Sequence, residues 1–137
     1  MLSEFGLIRR YFTHATRHTR LSIGDDAALV EVPRGMQLAV STDLLVSGTH
    51  FLADADPRSI GHKSLAVNLS DMAAMGAVPR WATLSLALPG IDRTWLRKFS
   101  NEFMTLSNSF DVDLIGGDTT RGPLAICVQI MGLVKRG

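Results

Sequence analysis

One helix with almost no charge limits the fold more than any other feature of this chain. Asp56-Pro57 reads as its start, the aspartate as a cap and the proline at the first helical position, and Gly76 followed by Pro79 as its stop. After Lys63 no lysine, arginine or glutamate intervenes before Gly76: the residues are Ser-Leu-Ala-Val-Asn-Leu-Ser-Asp-Met-Ala-Ala-Met. A helix facing water carries long charged side chains, so this one must be covered on most of its surface. Its short polar residues Ser64, Asn68 and Asp71 share one stripe, which predicts a polar face turned to a ligand.

The flanking segments predict what covers it. Trp81–Leu88 is an apolar strand ended by Pro89-Gly90, and Asp92 caps a second long helix with Trp95, Phe99, Phe103, Leu106 and Phe110 on one face. Val112–Ile115 predicts a short strand entering Gly116-Gly117-Asp118, and a turn over Thr119–Pro123 leads to a last strand through Val134. Towards the N-terminus, Phe5, Ile8 and Phe12 recur at helical spacing after Ser3, a candidate cap. Thr13–Arg20 has few apolar anchors and reads as a mobile loop, whereas Ala28–Val32 and Gln37–Thr42 read as strands joined by Pro33-Arg34-Gly35. The order predicts an α/β (α+β) domain: a mixed four-to-five-stranded sheet with two long helices packed on one face.

Composition bounds the function. The 137 residues suit one domain with a real core, and 46% hydrophobic with 20% charged residues describes a globular chain. A net charge of +1 offers no general attraction to nucleic acid or to an anionic membrane, so any anion binding has to come from local geometry. The apolar stretches are too short to span a bilayer, and Met1-Leu2-Ser3-Glu4 does not open a signal peptide. Cys127 has no partner for an internal disulfide and falls in an alternating apolar stretch, where a small buried hydrophobe is expected. These features predict a cytoplasmic protein. The ending Lys135-Arg136-Gly137, directly after a strand, suits a domain cut from a longer one.

Chemistry concentrates in aspartates at segment ends. Asp25 and Asp26 follow Gly24, a pattern that turn formation alone explains, yet two adjacent like charges are relieved by a cation. Asp43 closes the strand Ala39–Asp43, where Ser41 and Thr42 add further oxygens. The apolar loop Leu44–Phe51 would hold His50 beside Asp43. Paired Gly116-Gly117 lets backbone N–H groups approach phosphate, with Asp118 placed to hold a metal on it; a plain hairpin turn needs only Arg121-Gly122-Pro123. The donors are hard oxygens without a Cys/His set, which favours Mg²⁺ over zinc.

In this order and spacing, Ile23-Gly24-Asp25-Asp26-Ala27-Ala28-Leu29, Ser41-Thr42-Asp43, His50-Phe51, the run from Lys63 to Ala77, and Gly116-Gly117-Asp118-Thr119-Thr120-Arg121-Gly122 resemble the N-terminal domain of bacterial thiamine-monophosphate kinases, in the aminoimidazole-ribonucleotide synthetase-like superfamily. The resemblance spans essentially the whole chain. It implies ATP-dependent phosphorylation of thiamine monophosphate to thiamine diphosphate, with Mg²⁺ on Asp26, Ser41, Thr42, Asp43, Asp71 and Asp118. It places the nucleotide at Gly117 and Asp118 and the thiamine phosphate at His50; Asp25 matches the motif without a direct ligand role. It further implies a homodimer through the sheet edge and a C-terminal domain absent from residues 1–137. A phosphate acceptor is already largely dianionic, with a second pKa of about 6, so in-line transfer needs no general base. The alternatives are another ATP-using member of the superfamily, or a non-catalytic domain that binds nucleotide or dimerises.

Overall fold

The computed structural model describes residues 4–13, 19–21 and 27–137. Helix α1 (Glu4–Tyr11) is followed by short strands β1 (Thr19–Leu21) and β2 (Leu29–Val30), then β3 (Met36–Val46), α2 (Pro57–Ala74), β4 (Val78–Leu88), α3 (Arg93–Ser109), β5 (Asp113–Arg121) and β6 (Ala125–Lys135). The main sheet has the order β3-β6-β4-β5, with β4–β5 parallel and the other pairs antiparallel. The predicted mixed sheet under two long helices is therefore present. Thr19–Leu21, expected within a mobile loop, pairs instead with β2 as a separate two-stranded sheet.

Local chemistry sets the helix ends. Asp56 accepts from the Arg58 N–H at 2.9 Å, and Asp92 accepts from the N–H groups of Thr94 and Trp95. At the far end of α2, Gly76 takes φ +65° while Ala77 N–H returns to Met72 O and Gly76 N–H to Ala73 O, which satisfies two otherwise orphaned carbonyls.

The core lies between the helix layer and one sheet face. Ile60, Leu65 and Met72 of α2 and Leu96, Phe99 and Phe103 of α3 pack with Leu84, Leu86, Ile126, Val128 and Ile130 of the sheet. Phe99 stacks between Trp95 and Phe103 at centroid distances of 4.9 and 6.0 Å, and Phe12 meets its edge, docking the end of α1. Gly61 is where α2 and α3 approach closest; a Cβ there would lie 2.5 Å from Phe99 O.

Strand register decides which side chains see the helices. Asp43, Val128, Leu84 and Gly117 form one row across the four strands, on the helix face; Leu44, Cys127, Ser85 and Asp118 form the next row, on the far face. On that far face β3 exposes Leu38, Val40 and Leu44 at 39%, 53% and 56%. Cys127, expected to be buried, is only half-buried because it lies on this face beside exposed Leu44, away from the part buried around Trp81, Ile115 and Leu133.

Candidate metal and phosphate site

Asp43 and Asp71 meet at the seam between β3 and α2. Asp43 points to the helix face from within β3, and Asp71 descends from the last turns of α2 towards the same strand, where its Oδ2 accepts from Ser41 Oγ at 3.0 Å. Burial first, then a hydrogen bond to Asp71, then the like charge of Asp71 push the Asp43 carboxyl above its ordinary pKa. Asp43 Oδ2 is buried and has no hydrogen-bond partner among the described residues. Two facing carboxyls with an orphaned oxygen and a hydroxyl alongside make a donor set that hard cations satisfy. Among the described residues, no three of His, Cys, Asp and Glu converge on one point. Asp25 and Asp26 lie outside the described residues.

Three features depart from the expected cluster. Asp43 does not close its strand: β3 runs on to Val46, because Leu44-Leu45-Val46 continue the alternation and send Leu45 into the core. Thr42 is on the far face by the same alternation, so its hydroxyl points away from Asp43 and Asp71. Asp118 also faces away. It belongs to β5, the opposite edge from β3, and three strand spacings put it about 14 Å across the sheet from Asp43. Within one chain Asp118 is not brought to the pair.

Gly116-Gly117-Asp118 was expected as a loop at a strand end; β5 instead continues through it, after a register shift that leaves Ile115 as an extra residue opposite β4. Gly117 has φ +147°, and a Cβ there would fall 1.7 Å from Leu84 O, so the neighbouring strand's carbonyl already demands glycine. Gly116 has open space where a Cβ would stand. Asp118 Oδ1 accepts from the Thr119 N–H at 2.9 Å, and Thr119 Oγ1 is buried without a partner among the described residues.

The polar stripe of α2 divides. Only Asp71 reaches the seam; Ser64 and Asn68 are buried and bond back along the helix, Ser64 Oγ to Ile60 O and Asn68 Nδ2 to Ser64 O. Asn68 is 0% exposed and its Oδ1 is unpartnered among the described residues, one helical turn before Asp71.

His50 sits in an exposed turn after β3. Thr49 and His50 N–H both bond Val46 O, and Gly48 N–H, at φ +85°, bonds Phe51 O. The Val46 N–H donates to His50 Nδ1 at 2.9 Å, and Lys63 Nζ donates to His50 O at 2.5 Å. Lys63 was legible in the sequence only as the last basic residue of α2; its role as a loop tether needed the structure.

The family model for "AIR synthase related protein, N-terminal domain" matches residues 24–134. The thiamine-monophosphate kinase of Escherichia coli (strain K12) is 54% identical over 98% of this chain, which spans 42% of that protein. The crystal structure of thiamine-monophosphate kinase from Stenotrophomonas maltophilia K279a superimposes with a TM-score of 0.87 at 49% identity, covering 99% of this chain and 44% of that one. AaThiL complexed with AMPPCP and TMP matches with a TM-score of 0.72 at 32% identity, over 84% of this chain and 38% of that one. The chain thus spans less than half the length of these relatives.

Proposed function

The chain belongs to the AIR synthase related protein family through its N-terminal domain, and on that premise we propose that it forms the ATP- and magnesium-binding part of a kinase converting thiamine monophosphate to thiamine diphosphate. The observation that carries this reading is the Asp43–Asp71 pair with its orphaned oxygen, in a chain so similar to enzymes of that name.

Asp43 and Asp71, with Asp26 and the Ser41 hydroxyl, would hold magnesium, and Thr42 would add at most its backbone carbonyl, since its hydroxyl lies on the far face. The bound ions would supply neutralisation of a polyphosphate and of the acceptor phosphate that approaches it. The chain's own residues orient the reactants. Gly117 and Asp118 serve the nucleotide, and His50, with its ring proton on Nε2, donates to the acceptor phosphate. No side chain has to remove a proton, because the nucleophilic phosphate oxygen is already ionised near neutral pH.

Asp118 joins this scheme most economically through a homodimer. Among the described strands, β3 and β5 are each paired on one side only. A two-fold association bringing β3 of one copy beside β5 of another would cover Leu38, Val40 and Leu44 and bring Asp118 to the strand beside Asp43, on the other face of the joined sheet. Among the described residues no helix is long and apolar enough to cross a membrane, and a cytoplasmic location completes the proposal.

The test is an assay of the purified full-length protein with ATP, magnesium and thiamine monophosphate. Thiamine diphosphate is the expected product; its absence under conditions where the protein is folded and binds ATP would overturn the reading.

A further inference from the structure

We propose that Lys63 is a positioning residue for His50, acting through the backbone carbonyl it holds; the inference rests on the acceptor-binding role given to His50 above. His50 is exposed, so packing does not hold its ring. Hydrogen bonds do. Its Nδ1 accepts from the Val46 N–H, which leaves the neutral imidazole's proton on Nε2 and makes that nitrogen a donor. The turn around it is closed by the bonds to Val46 O and Phe51 O.

Among the described residues, two hydrogen bonds fix this turn to the rest of the fold, alongside the packing of Phe51 on the core. Ser47 N–H bonds Leu124 O at 3.2 Å where the chain enters, and Lys63 Nζ reaches from the second turn of α2 to His50 O where it leaves. The second bond acts on the functional residue itself. A bond from an ammonium group is stronger than a neutral one, and its consequence is to limit the orientations of the turn and of the Nε2–H it presents. α2 also carries Asp71, so the same rigid helix sets both the carboxylate pair and the donor for the acceptor.

The experiment compares full-length wild type, Lys63→Met, Lys63→Arg, His50→Ala and the double variant Lys63→Met/His50→Ala. Lys63→Met keeps the stem and removes the donor; we expect KM for thiamine monophosphate to rise about tenfold, with kcat and the KM for ATP nearly unchanged. Lys63→Arg should recover part of the loss. The double variant should be no worse than His50→Ala alone, because Lys63 works through His50; penalties that multiply would mean direct phosphate contact and overturn the proposal. A readout independent of activity is the imidazole ¹⁵N spectrum of His50 with amide exchange at Val46. Lys63→Met should mix the ring tautomers and speed Val46 exchange about tenfold. If wild type makes no thiamine diphosphate but these signals change, the kinase reading fails and the positioning role stands; an unchanged spectrum with unchanged KM overturns the positioning role.

Discussion

Asp43 and Asp71 face each other closely enough for Asp71 to raise the Asp43 carboxyl, although they come from a strand and a helix 28 residues apart in sequence. Without a cation the arrangement is a liability to the fold: Asp43 ionises against burial and against the charge of Asp71.

A pH dependence follows. A folded-state pKa raised above the unfolded value of about 3.9 contributes stability that is fully present below that value and is lost as pH rises through the raised one. Metal-free Asp43→Asn should therefore melt higher than metal-free wild type at neutral pH, and the gap should close as pH falls towards 3.5, each 1 kcal/mol moving the midpoint by roughly 3–5 °C. Thermal melts in a chelator across pH 3.5–8 check this; equal midpoints at pH 7 would contradict it.

Magnesium should reverse the ranking. Titrating the ion into wild type should raise its melting temperature progressively, while Asp43→Asn and Asp71→Asn respond weakly or not at all. Calorimetric titration of the same proteins gives the affinity directly, and full-length Asp71→Asn should lose turnover while remaining folded.

Ser41→Ala should behave oppositely to Asp43→Asn. It removes a donor to Asp71 and leaves the repulsion in place, so a destabilisation of about 1–2 kcal/mol is expected in denaturant unfolding.

The adjacent glycines of β5 should separate cleanly. Gly117→Ala drives a methyl into Leu84 O and should cost at least about 3 kcal/mol, or prevent folding. Gly116→Ala has open space and should stay within about 1 kcal/mol of wild type. Any loss of ATP binding in folded Gly116→Ala would then report on the ligand and not on the sheet.

A site built across two copies predicts complementation. Full-length Asp43→Asn and Asp118→Asn should each be inactive, whereas subunits mixed and re-associated in equal amounts should recover about one quarter of the wild-type rate, since half the dimers carry one intact site of two. No recovery would place both aspartates in a single-chain site.

Much of this arrangement is legible in the residues. Asp56-Pro57 and Asp92 announce helices because capping is local chemistry, and helical spacing sets the face from Trp95 to Leu106, while Phe110, expected on it, is the exposed C-cap. The charge-poor run after Lys63 marks the covered part of α2 as far as Met72, but Ser70, Ala73 and Ala74 are exposed, and the run does not say that Ser64 and Asn68 bond backward into their own helix. The strand ends were harder to place. Leu44-Leu45-Val46 continue β3 and Gly116-Gly117-Asp118 lies inside β5, because pairing with β6 and β4 overrides the turn preference of glycine and aspartate. Which face Thr42 and Asp118 occupy depends on pairing with distant strands, and nothing local encodes it.

The interior placement of Asp43 has one last consequence. All eleven residues of β3 are paired with β6, from Met36 opposite Lys135 to Val46 opposite Ala125. A slip of one residue would turn Ser41 and Asp43 outward and bring Thr42 and Leu44 under α2. The carboxylate pair is therefore only as accurate as that alignment, and an insertion at the ends of β3 or β6 could erase the site while leaving the outline of the fold intact.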